Sequence, residues 1–168
     1  MGDDIVYNQG KPAAKQLTDF YEKTQSTIVG VQEVEYDELN KYGIVKPKNE
    51  SEDVNCSCEI GDMVEKPNPK DAPSRYAVLG RYVLTPKIFE LLEDQEEGIG
   101  GEIQLTDAIK RLIEFEKVYA YEFEGERYDV GTKKGFIEAT LDFALRREDL
   151  KEEVEDLIVK KYKDLIGE

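Results

Sequence analysis

The stretch QLTDAIKRLIEFEKVYAYEFEG, residues 104–125, places a helical pattern directly before a strand pattern. Its first half repeats apolar residues at the i, i+3, i+4, i+7 and i+8 spacing of one continuous helix face. These residues are Leu105, Ala108, Ile109, Leu112 and Ile113. Its second half, residues 117–125, is rich in the aromatic and β-branched residues typical of strands. A helix leading straight into a strand indicates an α/β fold.

Helix and strand patterns recur on both sides of this stretch. Further helices are predicted over residues 12–25 and 133–146. Another helix is predicted to begin at Thr85-Pro86, with Thr85 as its N-cap and Pro86 as its first residue. Further strands are predicted over residues 26–34, 42–47, 59–66 and 75–84. We therefore expect one domain over residues 1–168, with a mixed, mainly parallel sheet and helices on its faces. An amphipathic helix is predicted at its C-terminal end, over residues 149–168.

The composition excludes several classes of partner. The chain has 168 residues, of which 39% are hydrophobic, and a net charge of -15. A surface with this much negative charge repels phosphate backbones and anionic lipid headgroups. Nucleic acids and membranes are therefore not expected partners. The longest apolar runs are far below the roughly 20 residues needed to cross a bilayer, and residues 1–30 lack a signal-peptide layout. We expect a cytoplasmic protein.

The cysteine and histidine content restricts the chemistry. Cys56 and Cys58 are separated by one residue, a spacing that rarely allows an unstrained disulfide. Zinc would need two more ligands in a chain that contains no histidine. We therefore expect both cysteines to be solvent-tolerant loop thiols, and residues 48–57 are predicted to form an exposed loop. The lack of histidine also excludes hydrolases of the Ser-His-Asp and Cys-His types, so any catalysis must use carboxylates, lysine or a bound cation.

Two acidic positions have the character of a metal site. Asp3 and Asp4 follow Gly2, and their carboxylates are suited to Mg²⁺, which prefers oxygen ligands. Asp129 lies at a predicted strand-to-helix junction beside Gly131, where open α/β sheets place functional groups. The alternatives are a solvated surface pair at Asp3-Asp4 and a helix N-cap or Asx-turn at Asp129.

A charged pair ends the strand predicted over residues 59–66. Glu65 and Lys66 lie just before Pro67 and are predicted on opposite faces of that strand. A carboxylate suits sugar hydroxyls and an ammonium group suits a phosphate. The alternative is an ordinary surface charge pair at a strand end.

Six motifs together carry a family resemblance. They are GDDIV (2–6), KYGIV (41–45), VEKP (64–67), GRYVLTPKIFELLE (80–93), GGEIQLTDAI (100–109) and RYDVGTKKGF (127–136). In this order and at these intervals, the sequence closely resembles the later part of bacterial UTP-glucose-1-phosphate uridylyltransferases, also called UDP-glucose pyrophosphorylases. The resemblance implies part of a Rossmann-like nucleotidyltransferase fold. It covers nearly the whole chain.

The resemblance implies a reaction and a set of site residues. The family joins glucose 1-phosphate to UTP, releasing pyrophosphate, with Mg²⁺ as cofactor. Asp3 matches the family's metal-binding aspartate, and Asp129 is implied as the second acid at the metal. Glu65 would hold glucose hydroxyls, Lys66 would contact a phosphate and Gly43 would let the backbone approach the sugar. Asp4 has no assigned role, and Gln104 and Asp107 are expected to support the pocket.

The resemblance also implies a longer N-terminal portion in family members, with a strand and a Gly-rich loop that grips the UTP triphosphate. Met1 stands where the family has the last apolar residue of the strand before GDD. We therefore expect a chain that begins internally and is inactive by itself. Its expected partners are a complementing N-terminal half or further copies in a homo-oligomer. The alternative function is a non-catalytic acidic module that keeps the family scaffold for assembly.

Overall fold

The computed structural model describes residues 3–49, 56–97 and 101–167. These residues form two compact units, one from Met1–Tyr7 and Glu126–Glu168 and the other from Asn8–Gly125. The prediction of a single domain stays a prediction.

The described residues of the Asn8–Gly125 unit form five strands and three α-helices. The strands are β2 (Thr27–Glu33), β3 (Gly43–Pro47), β4 (Ser57–Glu65), β5 (Tyr76–Val83) and β6 (Val118–Glu122), and β1 belongs to the other unit. The helices are α1 (Ala13–Thr24), α2 (Lys87–Glu93) and α3 (Leu105–Leu112), with short 3₁₀ turns at Tyr36–Lys41 and Pro69–Asp71. The strands close into a small barrel in the order β2-β5-β3-β4-β6.

The predicted α/β class is confirmed, but the prediction of a mainly parallel sheet is wrong. In the described barrel only β2 and β6 pair in parallel, whereas β2/β5, β3/β4, β3/β5 and β4/β6 are antiparallel. A parallel pair needs a long crossover, usually through an α-helix. No α-helix lies between β2 and β5 in the described chain, and α2 and α3 come only between β5 and β6. The chain therefore turns back on itself through its first four barrel strands.

The predicted apolar face of residues 104–115 forms part of the core of this unit. Ala108, Ile109 and Leu112 on α3 are completely buried, and they pack in one cluster with strand residues such as Val29 and Val118. Full burial of an isoleucine or leucine side chain contributes roughly 1.5–3 kcal/mol. This face of α3 therefore anchors the helix on the barrel.

The start of α2 differs from the prediction. The helix begins at Lys87, its N-cap position is Pro86, and no side chain caps it. The Thr85 hydroxyl instead donates a hydrogen bond to Oε1 of Glu116 at 2.6 Å. A tertiary partner thus replaces the predicted capping role of Thr85.

The two cysteines have different environments. Both are free thiols, with Cys56 exposed and Cys58 buried. The exposed-loop prediction is wrong for Cys58, because β4 begins at Ser57 and alternation along the strand places Cys58 on the inward face with Ile60. The rest of the predicted loop lies largely outside the described residues.

The described residues of the second unit form a two-stranded sheet and two helices. Strands β1 (Asp4–Tyr7) and β7 (Glu126–Asp129) pair antiparallel, with Asp4 opposite Asp129. The helices are α4 (Lys133–Leu145) and the C-terminal α5 (Lys151–Ile166). The Tyr128 and Tyr7 rings of the sheet each pack edge-on against Phe143 of α4. Across the described part of the chain, no helix is long and apolar enough to cross a membrane.

Candidate functional site

The structure brings Asp3 and Asp129 together around Gly131. A Cβ atom placed on Gly131 would lie 3.1 Å from Oδ2 of Asp3 and 3.2 Å from Oδ1 of Asp129. The backbone carbonyl of Asp3 also accepts a hydrogen bond from the Val130 N–H at 2.8 Å. Both carboxylates therefore approach one point that is accessible because residue 131 has no side chain.

Asp129 also has the local role that the sequence left as an alternative. Its Oδ1 accepts a hydrogen bond from the Gly131 N–H at 3.1 Å, which is an Asx-turn. The N-cap of α4 is Thr132, whose hydroxyl oxygen accepts a bond from the Gly135 N–H at 3.0 Å. The turn holds the Asp129 carboxylate beside Asp3. The Asx-turn is therefore compatible with a functional role for the same side chain.

Asp4 is distinguished from Asp3 by its partner. The Arg127 guanidinium donates to both Asp4 carboxylate oxygens, at 2.5 and 3.3 Å, and the Arg127 side chain is only 16% exposed. A two-pronged pair of this kind balances the Asp4 charge locally. The two adjacent acids therefore have different surroundings, with Asp4 in an ion pair and Asp3 beside Gly131.

The donor set at Gly131 fits Mg²⁺. The described residues contain no cluster of three or more acidic or cysteine side chains able to hold a metal by themselves. Mg²⁺ is commonly held by one or two carboxylates, with water and substrate phosphate completing its shell. Asp3 and Asp129 are the two carboxylates at this point that could hold such an ion.

A second group of predicted site residues meets at the end of β4. Gly43 lies directly opposite Glu65 in the β3/β4 register. A Cβ atom on Gly43 would lie 3.0 Å from Oε2 of Glu65 and 3.5 Å from the Thr106 hydroxyl oxygen. The Thr106 hydroxyl donates to Oε2 of Glu65 at 2.7 Å. Gly43 therefore leaves the space that the Glu65 carboxylate occupies.

The sequence predicts Lys66 and Glu65 on opposite faces of one strand, and the structure does not place them so. Strand β4 ends at Glu65, and Lys66 has a left-handed backbone with φ of 45°. Its N–H donates to the Tyr42 carbonyl at 3.0 Å, and its Nζ lies 3.9 Å from Oε1 of Glu65. The change of backbone conformation brings the carboxylate and the ammonium group to the same side.

Tyr82 on β5 belongs to the electrostatic environment of Glu65. Burial, together with the nearby Glu65 charge, raises the pKa of Tyr82 to about 12. Its phenol therefore stays protonated at neutral pH and can donate a hydrogen bond. Tyr82 is partly buried at the edge of the barrel core.

Sequence reasoning missed Thr106 and Tyr82 as site residues. Thr106 lies inside the quoted GGEIQLTDAI motif, where it reads only as a residue at the start of α3, whereas the structure buries it beside Glu65. Tyr82 carries no local signal beyond its strand. Gln104 is expected to support the pocket. Its backbone carbonyl accepts hydrogen bonds from the side-chain amide of Gln95 at 2.8 Å and from the Asp107 N–H at 3.2 Å.

The predicted residues thus form two groups. Asp3 and Asp129 meet in the Met1–Tyr7 and Glu126–Glu168 unit, and Gly43, Glu65 and Lys66 meet in the Asn8–Gly125 unit. The first group offers oxygen ligands for a cation. The second offers an acceptor for hydroxyls beside an ammonium group for a phosphate.

A family model described as Nucleotidyl transferase matches residues 1–145. The chain belongs to the nucleotidyl transferase family. The chain is 49% identical over 160 residues to UTP--glucose-1-phosphate uridylyltransferase 2 of Staphylococcus saprophyticus. It is 50% identical over 154 residues to the UTP--glucose-1-phosphate uridylyltransferase of Bacillus subtilis. These matches cover 95% and 92% of this chain but 54% and 51% of the relatives.

Solved structures give the same picture of this chain. A UDP-glucose pyrophosphorylase crystallised with UDP-glucose matches with a TM-score of 0.78 and 43% identity, over 86% of this chain and 54% of that one. The UDP-glucose pyrophosphorylase of Acinetobacter baumannii matches with a TM-score of 0.82 and 34% identity, over 94% and 54%. The chain spans about half the length of the relatives it matches.

Proposed function

We propose that this chain supplies the sugar-binding and metal-binding part of a UTP-glucose-1-phosphate uridylyltransferase. The observation that carries the proposal is the meeting of Asp3 and Asp129 at Gly131, in a chain similar to enzymes of that name. In the reaction, a phosphate oxygen of glucose 1-phosphate attacks the α-phosphorus of UTP. A new P–O bond forms, the bond to the β-phosphate oxygen breaks, and pyrophosphate leaves.

The residues of this chain would position the substrates. Glu65, held by Thr106 at 2.7 Å, accepts hydrogen bonds from glucose hydroxyls. Lys66, whose side chain is 62% exposed, contacts the sugar phosphate, and Gly43 allows the sugar to approach the backbone. Such a transfer needs alignment and charge neutralisation instead of a protein nucleophile, so a chain without histidine can support it.

Asp3 and Asp129 would hold Mg²⁺ in this proposal. When bound, the cation neutralises phosphate charge and helps to align the two substrates. The protein's own contribution is the Asx-turn at Asp129 and the open space over Gly131, which place the two carboxylates together.

The metal assignment is tested with three neighbouring carboxylates. We expect Asp3→Asn and Asp129→Asn each to weaken Mn²⁺ binding at least roughly tenfold, measured by electron paramagnetic resonance in the presence of glucose 1-phosphate, because each removes an anionic ligand. Asp4→Asn is the matched control, since Asp4 pairs with Arg127, and its Mn²⁺ affinity should stay within about twofold. Equal affinities in all three variants would remove Asp3 and Asp129 from the metal site.

An assembly module from the same family is the second candidate. Helix α5 has no buried residue over Lys151–Ile166, and its Leu157, Tyr162 and Leu165 side chains are 51%, 61% and 85% exposed. Exposed apolar faces of this kind occur at protein interfaces. A stable homo-oligomer that binds neither glucose 1-phosphate nor Mn²⁺ would favour this function over catalysis.

A further inference from the structure

Lys66 has a backbone conformation that residues with a side chain rarely adopt. Its φ is 45°, in the left-handed region, where the Cβ atom of an L-residue crowds the following carbonyl oxygen. Among the described residues, Gln25 and Cys56 are the other non-glycine residues with positive φ, and Gln25 is an ordinary left-handed C-cap of α1. Lys66 instead follows the end of strand β4. A disfavoured conformation persists at such a position only where the surrounding structure holds it.

The backbone conformation of Lys66 decides where its ammonium group lies. Successive side chains of an extended strand point to opposite faces, so an extended Lys66 would direct its ammonium group away from Glu65. In the left-handed conformation, the Lys66 Nζ lies 3.9 Å from Oε1 of Glu65. The Lys66 side chain is mostly exposed, and an ion pair this open to solvent contributes little. The ion pair therefore follows from the backbone conformation and does not enforce it.

Pro67 restricts the conformation of Lys66. Its ring disfavours the right-handed helical conformation at the residue before it. Pro67 is also buried, and an extended Lys66 would redirect the chain and take the Pro67 ring out of its buried position. The Lys66 N–H is held as well, since it donates to the Tyr42 carbonyl at 3.0 Å. Pro67 thus opposes both common alternatives to the left-handed conformation.

We propose that Pro67 is a positioning residue, whose buried ring fixes Lys66 in the left-handed conformation before substrate binds. The Lys66 ammonium group and the Glu65 carboxylate then lie together, ready for the phosphate and the hydroxyls of one sugar phosphate. Preorganisation of this kind raises affinity, because only the fraction of molecules that already has the binding conformation takes up the ligand. This inference rests on the proposed function, in which Lys66 contacts the sugar phosphate.

The first test needs no ligand. In the isotopically labelled full chain, NMR couplings across residue 66 report the sign of φ, and we expect a positive φ. Pro67→Ala should shift residue 66 toward negative φ, because the alanine imposes no ring on the residue before it. Pro69→Ala is the matched control, since Pro69 begins the next 3₁₀ turn and does not adjoin Lys66, and it should leave φ positive. A positive φ that Pro67→Ala leaves unchanged would overturn the proposal.

The second test is a double-mutant cycle in glucose 1-phosphate binding, measured by calorimetry. Pro67→Ala should weaken binding roughly fivefold, because a smaller fraction of molecules has the binding conformation. Lys66→Met removes the ammonium group, and in that background Pro67→Ala should have no further effect, since the proline acts through the lysine. A merely structural role of Pro67 predicts the same loss in both backgrounds, and that result would overturn the proposal.

The native chain gives a measurement that does not depend on the folding of any variant. A positive φ at residue 66 that stays the same when glucose 1-phosphate is added supports preorganisation, whereas a negative φ in the free chain would overturn it. Failure of the native chain to bind glucose 1-phosphate would reject the proposed function. The φ of residue 66 in the free native and Pro67→Ala chains would then still support or overturn the role of Pro67.

Discussion

Thr106 decides how the Glu65 carboxylate is held. Its buried hydroxyl donates to Oε2 of Glu65 at 2.7 Å, and a hydrogen bond to a charged group contributes about 1.5–3 kcal/mol. We expect Thr106→Val to weaken glucose 1-phosphate binding roughly tenfold in calorimetry, and Thr106→Ser to restore it because the donor returns. Unchanged affinity in Thr106→Val, with the thermal midpoint preserved, would show that Glu65 is positioned without Thr106.

Tyr82 gives the site a measurable pH signature. Its folded pKa of about 12 lies above the ordinary tyrosine value of about 10, so the folded protein holds this proton more tightly than the unfolded chain. The resulting stability is fully present below pH about 10 and is lost as the pH rises toward about 12. Denaturant unfolding between pH 9 and 11 should therefore show a steeper loss of stability in the native sequence than in Tyr82→Phe. Parallel pH profiles would contradict the assignment.

At the scale of elements, α4 is fastened to β7 by one polar network. The Tyr128 hydroxyl donates to Oδ2 of Asp142 at 2.6 Å and accepts from Nη1 of Arg146 at 2.8 Å. The Arg146 guanidinium also lies 4.1 Å from the centre of the Tyr7 ring of β1. Arg146 thus contacts both strands of the sheet as well as the helix that carries it.

Removing the Tyr128 hydroxyl should loosen this unit. Tyr128 is only 5% exposed, its partners Arg146 and Asp142 are partly exposed at 29% and 38%, and a typical intramolecular hydrogen bond contributes about 0.5–1.5 kcal/mol. We expect Tyr128→Phe to lower the free energy of unfolding by that amount and to speed hydrogen exchange in β1 and β7. Tyr36→Phe is the matched control, because Tyr36 is 54% exposed and its loss should be nearly neutral. Equal stability of the two variants would mean that the network contributes nothing.

At the scale of the whole molecule, the chain spans about half the length of the relatives it matches. The resemblance assigns UTP triphosphate binding to a portion of the family that has no counterpart in the motifs found here. We therefore expect the purified chain to make no UDP-glucose from UTP, glucose 1-phosphate and Mg²⁺, and the mixture with the unmatched portion of a relative to release pyrophosphate. Pyrophosphate release by the isolated chain above background would contradict this expectation. Silence from a stable mixture would favour the assembly module.

The local sequence determined the elements and the chemical types of the candidate groups. Periodicity located α3 and its buried face, β-branched and aromatic runs located the strands, and the absence of histidine restricted the chemistry, because each depends only on neighbouring residues. Motif resemblance selected Gly43, Glu65, Lys66, Asp3 and Asp129.

Only the tertiary structure decided how those elements pair and what each charge meets. The barrel is mostly antiparallel because strand direction depends on how the chain returns, which periodicity does not record. Asp4 differs from Asp3 because Arg127 reaches it from β7 across 123 residues of chain. Lys66 joins Glu65 because a left-handed residue ends the strand, and Thr106 joins it because packing of α3 on the barrel buries a hydroxyl beside a carboxylate. Contacts between residues far apart in sequence leave no local pattern, so the fold alone specifies them.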